Sequence, residues 1–395
     1  MLTELEFETA LDLLQARLDR VNTVYIRKIA EQIKRIGEMN QTSINRMVLM
    51  AEMGEDVRDI TTQLASAMAL NMRDIEKIYA RAMQEVNTDQ RFSRYLEVLK
   101  DGTSPVSPVG QPVNGAMLKT QLAQFTQAVS MQTQKTMQNL SNTTIISKTY
   151  QDAIDEAILA SGMGHASYTE AMRDVVGRVG YGGMRVQYPS GRQVRLDSAV
   201  RQNIVDGAKQ IAQNGAKIYG DALGFNAYEL SAHMHSAPDH APVQGRVFLI
   251  AEYEKMQSGQ AFDDVDGNHY AGFKRKIGEW NCMHIAAPFD TRVSKRLYTD
   301  AQLAQWEAAN DAGCEIDGKH YTTYQAGQLM RRIETEVRRE KDRAIAAEAA
   351  GDETLQLQSQ QRINALGNRY TQVCRASGLK SRRQRMVVQG FTPMN

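Results

Sequence analysis

The sequence is poor in cysteine, and this scarcity excludes one class of protein. Only three cysteines occur in 395 residues, and they stand apart as Cys282, Cys314 and Cys374. An odd number of cysteines without regular spacing cannot form a disulfide framework, so we expect free thiols in a reducing compartment. A small secreted domain held together by disulfides is therefore excluded.

The sequence has no excess of charge of one sign, and it has no long apolar run. Lys and Arg number 47 against 46 Asp and Glu, so the net charge is +1 and any attraction to nucleic acid or to anionic lipid must be local. No apolar run approaches the roughly 18 residues that span a bilayer, and the acidic first ten residues lack the basic segment of an export signal. We expect a chain that is made in the cytoplasm and does not contact a membrane.

Proline is scarce as well, and its distribution marks a boundary. Three of the eight prolines fall within residues 101–115, which predicts a Pro/Gly-rich linker at residues 101–117. Before this linker, residues 1–100 are expected to form a long helical arm or bundle. The first helix is predicted from apolar residues in steps of three or four: Leu11, Leu14, Leu18, Val21, Tyr25, Ile29, Ile33 and Ile36.

Residues 118–180 form a Gln-rich helical segment. Leu118, Leu122, Phe125 and Val129 repeat at helical spacing, while the opposite face carries glutamine in place of charge. A helix with so few charges is poorly suited to isolation in water, so we expect it to pack on other protein. A neighbouring helix of the same chain is the preferred partner, with a second subunit as the alternative.

Residues 181–298 carry the β-strand patterns and are expected to form a small α+β domain. Residues 184–188 and 193–196 flank a turn and predict a hairpin, while residues 226–231 and 246–250 predict two further strands. Asp197 is expected to cap the helix that follows the hairpin. Residues 177–183 are rich in glycine and are interpreted as a flexible connection.

Residues 299–395 are predicted to be a C-terminal helical region that ends in a basic tail. Within it, residues 330–344 are dense in Arg, Glu, Lys and Asp at spacings of three and four, which is typical of a solvated helix. The fold class expected for the whole chain is mainly α, with a small central α+β domain and a long N-terminal helical arm or bundle.

Histidine is concentrated in one part of the chain. Five of the seven histidines lie within about fifty residues that also contain Cys282: His233, His235, His240, His269 and His284. Histidine and cysteine are the side chains most often used as soft metal ligands, and histidine is the usual proton carrier near neutral pH. Any chemistry is therefore expected in this region.

Three interpretations of these residues stay open. The first is a structural metal site, with Zn²⁺ bound by His240, Cys282, His284 and either His233 or His235. The second is catalysis, with His240 polarised by Asp239 as general base and Cys282 as nucleophile. The third, which we prefer, is a hydrogen-bonded cluster that stabilises a small core and comprises His233, Asp239, His240, Asn281, Cys282 and His284.

The basic tail has two interpretations. It holds five basic residues and no acid between residues 375 and 385: Arg375, Lys380, Arg382, Arg383 and Arg385. Such a patch can contact DNA phosphates, or it can be the solvated end of a helix. The solvated end is the simpler interpretation.

The order of the motifs resembles the phage minor capsid protein family, which comprises relatives of the phage Mu F-type head-morphogenesis proteins. The resemblance covers roughly residues 120–395 and rests on Pro238-Asp239-His240 with Gln244-Gly245, on Asn281-Cys282-Met283-His284, and on five further segments: residues 188–192, 200–203, 231–233, 324–339 and 378–390. Family members tend to have two arginines and a tryptophan where this chain has Ala237, Met283 and Val243. An anion site built from those arginines is therefore not expected here.

The resemblance implies a virion structural protein and no enzyme. Such a protein is made in the host cytoplasm and lies inside the capsid at the portal vertex, where it acts in head assembly and in DNA packaging or ejection. Its implied partners are the portal protein, sister subunits or other head proteins, and packaged DNA, with no membrane in the assembled state. Zinc is the one cofactor we consider. The alternative is a phage-delivered effector, a hydrolase or nuclease that uses the histidines and Cys282.

Overall fold

The computed structural model of the protein describes residues 4–38, 46–87, 115–140, 143–161, 165–188, 190–278, 282 and 284–394. Its fold is mainly α with a few small sheets, which confirms the predicted class. The helices are α1 (Glu4–Glu38), α2 (Arg46–Asn87), α3 (Gly115–Leu140), α4 (Thr143–Ser161), α5 (His165–Gly182), α6 (Leu196–Ala222), α7 (Ile250–Ser258), α8 (Asp300–Ala312), α9 (Thr323–Ala350) and α10 (Glu353–Ser377).

The strands are short and pair antiparallel. They are β1 (Arg185–Gln187), β2 (Gln193–Arg195), β3 (Ala227–Leu230), β4 (Val247–Leu249), β5 (Phe262–Asp263), β6 (His269–Tyr270), β7 (Ala286–Phe289), β8 (Cys314–Ile316) and β9 (Lys319–Tyr321). The predicted hairpin is confirmed as β1 and β2, and the two further predicted strands are β3 and β4. Strand β3 lies in the middle of a three-stranded sheet of order β4-β3-β7.

Helix α1 lies at the centre of a large helical core. It contacts α2, α4, α5, α6 and α9, and all eight residues of its predicted apolar stripe are buried. Full burial of one such aliphatic side chain contributes about 1.5–3 kcal/mol, so this stripe accounts for much of the attachment of α1. The predicted N-terminal helix is thus confirmed.

The Gln-rich helix packs on its own chain, as preferred. Helix α3 contacts α2 and α6 and buries Leu118, Leu122, Val129 and Met137, while its glutamines face solvent. Most of the predicted linker, residues 101–114, lies outside the described residues, and α3 begins at Gly115. The proposed domain boundaries at residues 100, 117, 180 and 298 stay predictions.

The expected flexible connection at residues 177–183 is wrong. Helix α5 continues to Gly182 and crosses α9 closely. A Cβ atom at Gly180 would lie 2.7 Å from Arg343 Cα and 2.8 Å from Ala346 Cβ, which is closer than packed atoms approach. Glycine at this position therefore permits a close helix crossing and does not provide a flexible joint.

The charge-dense helix α9 is also more buried than expected. Its residues Arg338 and Asp342 lie in the helical core with Asp19 of α1, Arg195 of β2 and Asp197 of α6. The expectation of a solvated helix is therefore wrong for this face, because α9 is surrounded by α1, α5 and α10. Asp197 does not cap α6, whose N-terminal flanking residue is Arg195, without a side-chain cap.

Five buried charged residues form a cluster of direct contacts, which we call the ion cluster: Asp19, Arg195, Asp197, Arg338 and Asp342. Arg195 pairs with Asp197 at 3.1 Å, with Asp19 at 3.5 Å and with Asp342. Arg338 pairs with Asp19 at 2.8 Å and with Asp197. Three carboxylates thus share two guanidinium groups, and the ion cluster connects α1, β2, α6 and α9.

A second, smaller core lies under the three-stranded sheet. Its buried residues come from β3, β4, β5, β7, α7 and the loops that precede β4 and β7: Tyr228, Leu230, Val243, Phe248, Tyr253, Met256, Phe262, Ile277, Cys282 and Ala286. Helix α6 reaches it from the helical core and packs on β7, where a Cβ atom at Gly220 would lie 2.6 Å from Pro288. The predicted histidine region belongs to this small core.

Candidate functional site

Strand pairing brings the two halves of the histidine region together. In the β3–β7 ladder Leu230 lies opposite Ala286, so the chain leaves β3 beside the point at which it enters β7. The Ser231 N–H donates to the Ile285 carbonyl at 2.8 Å, and the Ile285 N–H donates to the Ser231 hydroxyl at 2.9 Å. The loop after β3 and the segment before β7 are thereby held side by side, although Ser231 and Ile285 are 54 residues apart in sequence.

Three of the predicted site residues converge there. Cys282 Sγ lies 3.3 Å from His240 Nδ1 and 3.4 Å from His284 Nδ1. Among the described residues these are the His, Cys and acidic side chains that form a group with ligand atoms within 4.8 Å of one another. Their exposed fractions are 2%, 0% and 2% respectively, so the group is enclosed. Asn281 lies outside the described residues.

Arg275, which the sequence analysis missed, orients His240. The Nε2–H of His240 donates to the Arg275 carbonyl at 2.7 Å, while the Arg275 guanidinium forms two hydrogen bonds with Asp239 at 2.7 and 2.8 Å. Asp239 itself lies 3.8 Å from His240 Nε2. The carbonyl of Arg275, rather than the expected carboxylate of Asp239, therefore accepts the closest hydrogen bond from His240. A backbone acceptor of this kind has no sequence signature.

His284 and His233 are stacked next to this group. Their ring centroids lie 4.5 Å apart at an interplanar angle of 29°, and Ser236 Oγ lies 3.4 Å from His284 Nε2. The N–H of His233 donates to Gln244 Oε1 at 3.1 Å, which fixes the start of the loop. His235 adopts a left-handed backbone with φ of 62°, and His269 pairs with Asp263 on the exposed β5–β6 hairpin.

The electrostatics of the group favour a thiolate. Burial alone would raise the pKa of Cys282, but hydrogen bonds with His240 and His284 outweigh it and lower the pKa to about 5. Burial opposes protonation of His240, yet its contacts with Cys282 and the Arg275 carbonyl leave its pKa raised. Burial lowers the pKa of His233. A thiolate is the form of cysteine that binds metals and attacks electrophiles.

The burial of His240, Cys282 and His284 limits which of the three interpretations is possible. A nucleophile and a base are in contact, as catalysis requires, but neither Cys282 nor His240 is accessible to a macromolecular substrate. A buried metal ion or a hydrogen-bonded core needs no such access. The arrangement thus suits a structural role better than turnover of a polymer.

A cleft of about 630 Å³ lies elsewhere, between α5 and α9, and the sequence analysis missed it. Arginine dominates its lining, with Arg173, Arg178, Arg185, Arg339, Arg343 and Arg362. Carboxylates of the same chain neutralise much of this charge: for example, Arg173 pairs with Asp352 and Arg178 pairs with Glu156, both at 2.7 Å. The cleft is therefore not an evident anion site.

The predicted DNA-contacting residues lie in the last turn of α10, which contains Arg375, and in the segment that follows this helix. Arg375, Lys380 and Arg383 are exposed, whereas Arg382 and Arg385 are partly buried. The N–H of Arg382 donates to the Tyr370 hydroxyl at 2.9 Å, and the Arg383 side chain donates to Thr371 at 2.8 Å. The tail is thus folded back on α10, and its contact with DNA stays a prediction.

Comparison with known protein families gives a match over most of the chain. A family model described as phage minor capsid protein 2 matches residues 18–373, which is most of the chain. No curated protein and no solved structure matches significantly. Within the described part of the chain, no helix is long and apolar enough to cross a bilayer. The matched range contains the small core, the whole histidine region and most of the helical core.

Proposed function

Since this chain belongs to the phage minor capsid protein 2 family and is thus a virion structural protein, we propose that it acts at the portal vertex inside the phage head. Its role there is to dock on the portal protein during head assembly. Family membership carries the assignment to the virion, and the helical architecture supports the docking role.

Helix α3 offers the docking surface. Its outer face carries Met117 and Met131, which are 58% and 53% exposed, among six exposed glutamines: Gln121, Gln124, Gln127, Gln132, Gln134 and Gln138. Lysine is the only charged residue type in this helix. Burying uncharged side chains against a partner costs less desolvation free energy than burying charges, and exposed methionines adapt to irregular surfaces. The face therefore suits a protein partner.

The basic tail is the proposed contact for packaged DNA. Arg375, Lys380 and Arg383 present positive charge on the surface, whereas the chain as a whole is nearly neutral. Contacts of this kind neutralise phosphates without reading sequence, so they suit a protein that meets any part of a genome.

Co-expression with the portal protein of the same phage tests the docking role. Size-exclusion chromatography with light scattering should give a complex of defined stoichiometry. Met131→Glu should weaken it by placing a charge in the interface, while Leu357→Glu, on an equally exposed apolar position of α10, should not. Separate elution at micromolar concentration, or equal effects of the two variants, would refute docking through α3.

The effector remains a second candidate because of one observation, the contact between Cys282 and His240 with its lowered thiol pKa. An effector carrying His240→Ala should assemble into normal particles that fail after DNA delivery. An assembly protein with the same change should deliver DNA normally if it folds. Particle counts and infectivity, measured together, distinguish the two.

A further inference from the structure

The group of His240, Cys282 and His284 holds more lone pairs than protons. His240 Nε2 must carry a hydrogen because its partner is the Arg275 carbonyl oxygen, so Nδ1 of the neutral ring carries a lone pair. The Arg275 guanidinium, which can only donate, lies 3.4 Å from the same Nδ1 and agrees with this tautomer. The lone pair of His240 therefore points at the sulfur of Cys282.

His284 presents a second lone pair to the same sulfur. The Ser236 hydroxyl donates to the Ala237 carbonyl at 3.4 Å, so its oxygen can accept from His284 Nε2, also at 3.4 Å. In the neutral ring, Nδ1 of His284 then faces Cys282 without a hydrogen, and a hydrogen bond to the thiolate forms only when the ring is protonated. The S–H of Cys282 can serve only one of the two ring nitrogens, and the other donor nearby, the Arg275 guanidinium, reaches His240 Nδ1 only at the long distance of 3.4 Å. A cation accepts both nitrogens and the thiolate at once.

A fourth donor lies beside this group. His233 Nδ1 lies 3.2 Å from the Met234 carbonyl and so carries the hydrogen, which leaves a lone pair on Nε2. That Nε2 is buried and forms no hydrogen bond with any residue that the structure describes. An unsatisfied buried nitrogen destabilises the folded state, and ligation would remove this cost.

The spacing of the donors matches a tetrahedral zinc site. Zn–S and Zn–N bonds of about 2.3 and 2.05 Å at a tetrahedral angle place sulfur and nitrogen about 3.6 Å apart. The observed separations of 3.3 and 3.4 Å are within a few tenths of this value. Residues 282 and 284 also have the spacing that puts two side chains on one side of an extended chain.

We propose that His240 Nδ1, Cys282 Sγ and His284 Nδ1 bind one structural Zn²⁺ ion, and that a movement of the His233 ring, which stacks on His284 outside the 4.8 Å group, brings its Nε2 in as the fourth ligand. The carbonyl of Arg275 and the hydroxyl of Ser236 hold two of the rings in the ligating tautomer, as second partners of metal-bound histidines usually do. The ion ties the loop after β3 to the segment before β7. A core as small as this one gains much of its stability from such a link.

Zinc content of the purified full chain is the direct test. After equilibration with micromolar zinc and gel filtration, the wild type should retain about one zinc per chain, and Cys282→Ser should lose nearly all of it. Cys314→Ser and Cys374→Ser are matched controls that should keep it. A wild-type chain that stays free of zinc, or a folded Cys282→Ser chain that keeps it, would overturn the proposal.

A pair of histidine variants tests the fourth ligand. His233→Ala should weaken zinc binding at least about 10-fold in competition with a chromophoric chelator, while His235→Ala should leave it unchanged. Equal affinities in both variants would show that His233 is not a ligand.

A variant that unfolds the small core would lose zinc indirectly. A second test of zinc binding therefore uses the wild-type chain. One equivalent of Co²⁺ should produce thiolate-to-cobalt absorption. Zinc should slow alkylation of Cys282, with Cys314 and Cys374 as internal references. Absence of the cobalt band and of this protection would contradict the site. Neither result depends on docking to the portal.

Discussion

The ion cluster and the proposed zinc ligands bury polar side chains in opposite ways. In the ion cluster, five charged residues contact partners of opposite sign, so the chain itself supplies most of the counter-charge, with two guanidinium groups for three carboxylates. At His240, Cys282 and His284, three electron-pair donors face one another. The first arrangement lacks at most one proton or positive charge, whereas the second offers three donors to a cation from outside. Buried groups that do not satisfy each other are thus the better indication of a binding site.

The largest expected effect on stability comes from removing one guanidinium group from the ion cluster. Arg195→Met removes a cation that contacts three carboxylates and should lower the free energy of unfolding by about 3–5 kcal/mol, because it leaves buried charge unpaired. Urea denaturation followed by circular dichroism measures it. A decrease in the free energy of unfolding below about 1 kcal/mol would mean that water or bound protons stabilise the carboxylates in place of Arg195.

Removal of zinc by a chelator should destabilise only the small core that contains His240, Cys282 and His284. Removing zinc should raise amide hydrogen exchange in β3 and β7 by about 100-fold, equivalent to about 2.7 kcal/mol, while the buried amides of α1 keep their rates. Mass spectrometry of deuterated peptides resolves the two regions. Faster exchange in α1 as well would show that the two cores unfold together.

The pH dependence of stability should expose the unequal charges of the ion cluster. Burial raises the pKa of Asp19 to about 7, although Arg338 opposes the shift. The contribution of Asp19 is therefore complete below pH 4 and is lost as pH rises through about 7. Asp19→Asn should reduce this loss by on the order of 1–2 kcal/mol between pH 4 and 8. Identical pH profiles for the wild type and Asp19→Asn would show that Asp19 is not the carboxylate that takes up the proton.

The smallest effect is expected at the surface. Arg178 pairs with Glu156 at 2.7 Å and with Asp174 at 3.1 Å, but its side chain is 57% exposed. Arg178→Ala should change stability by at most about 0.5 kcal/mol, because solvent screens exposed pairs. A cost close to that of Arg195→Met would mean that pairing alone, rather than burial, sets the energy.

Prediction from sequence succeeded where the signal was local. The apolar stripe of α1 and the β1–β2 turn each depend on neighbours within a few residues, and both are confirmed. It failed at residues 177–183 and along α9, because glycine and charge patterns do not reveal a crossing helix. Gly180 and Asp342 acquire their roles only where α5, α9 and α1 meet.

For the candidate site, sequence alone determined which residues were chemically suitable, and the order of its motifs indicated the family. Tertiary structure decided the rest. The β3–β7 register brought residues 233–240 to residues 282 and 284, and the loop at Arg275 supplied the carbonyl that sets the tautomer of His240. The physical reason is that residue type is a local property, whereas the direction of a lone pair depends on backbone atoms that folding brings from distant parts of the chain.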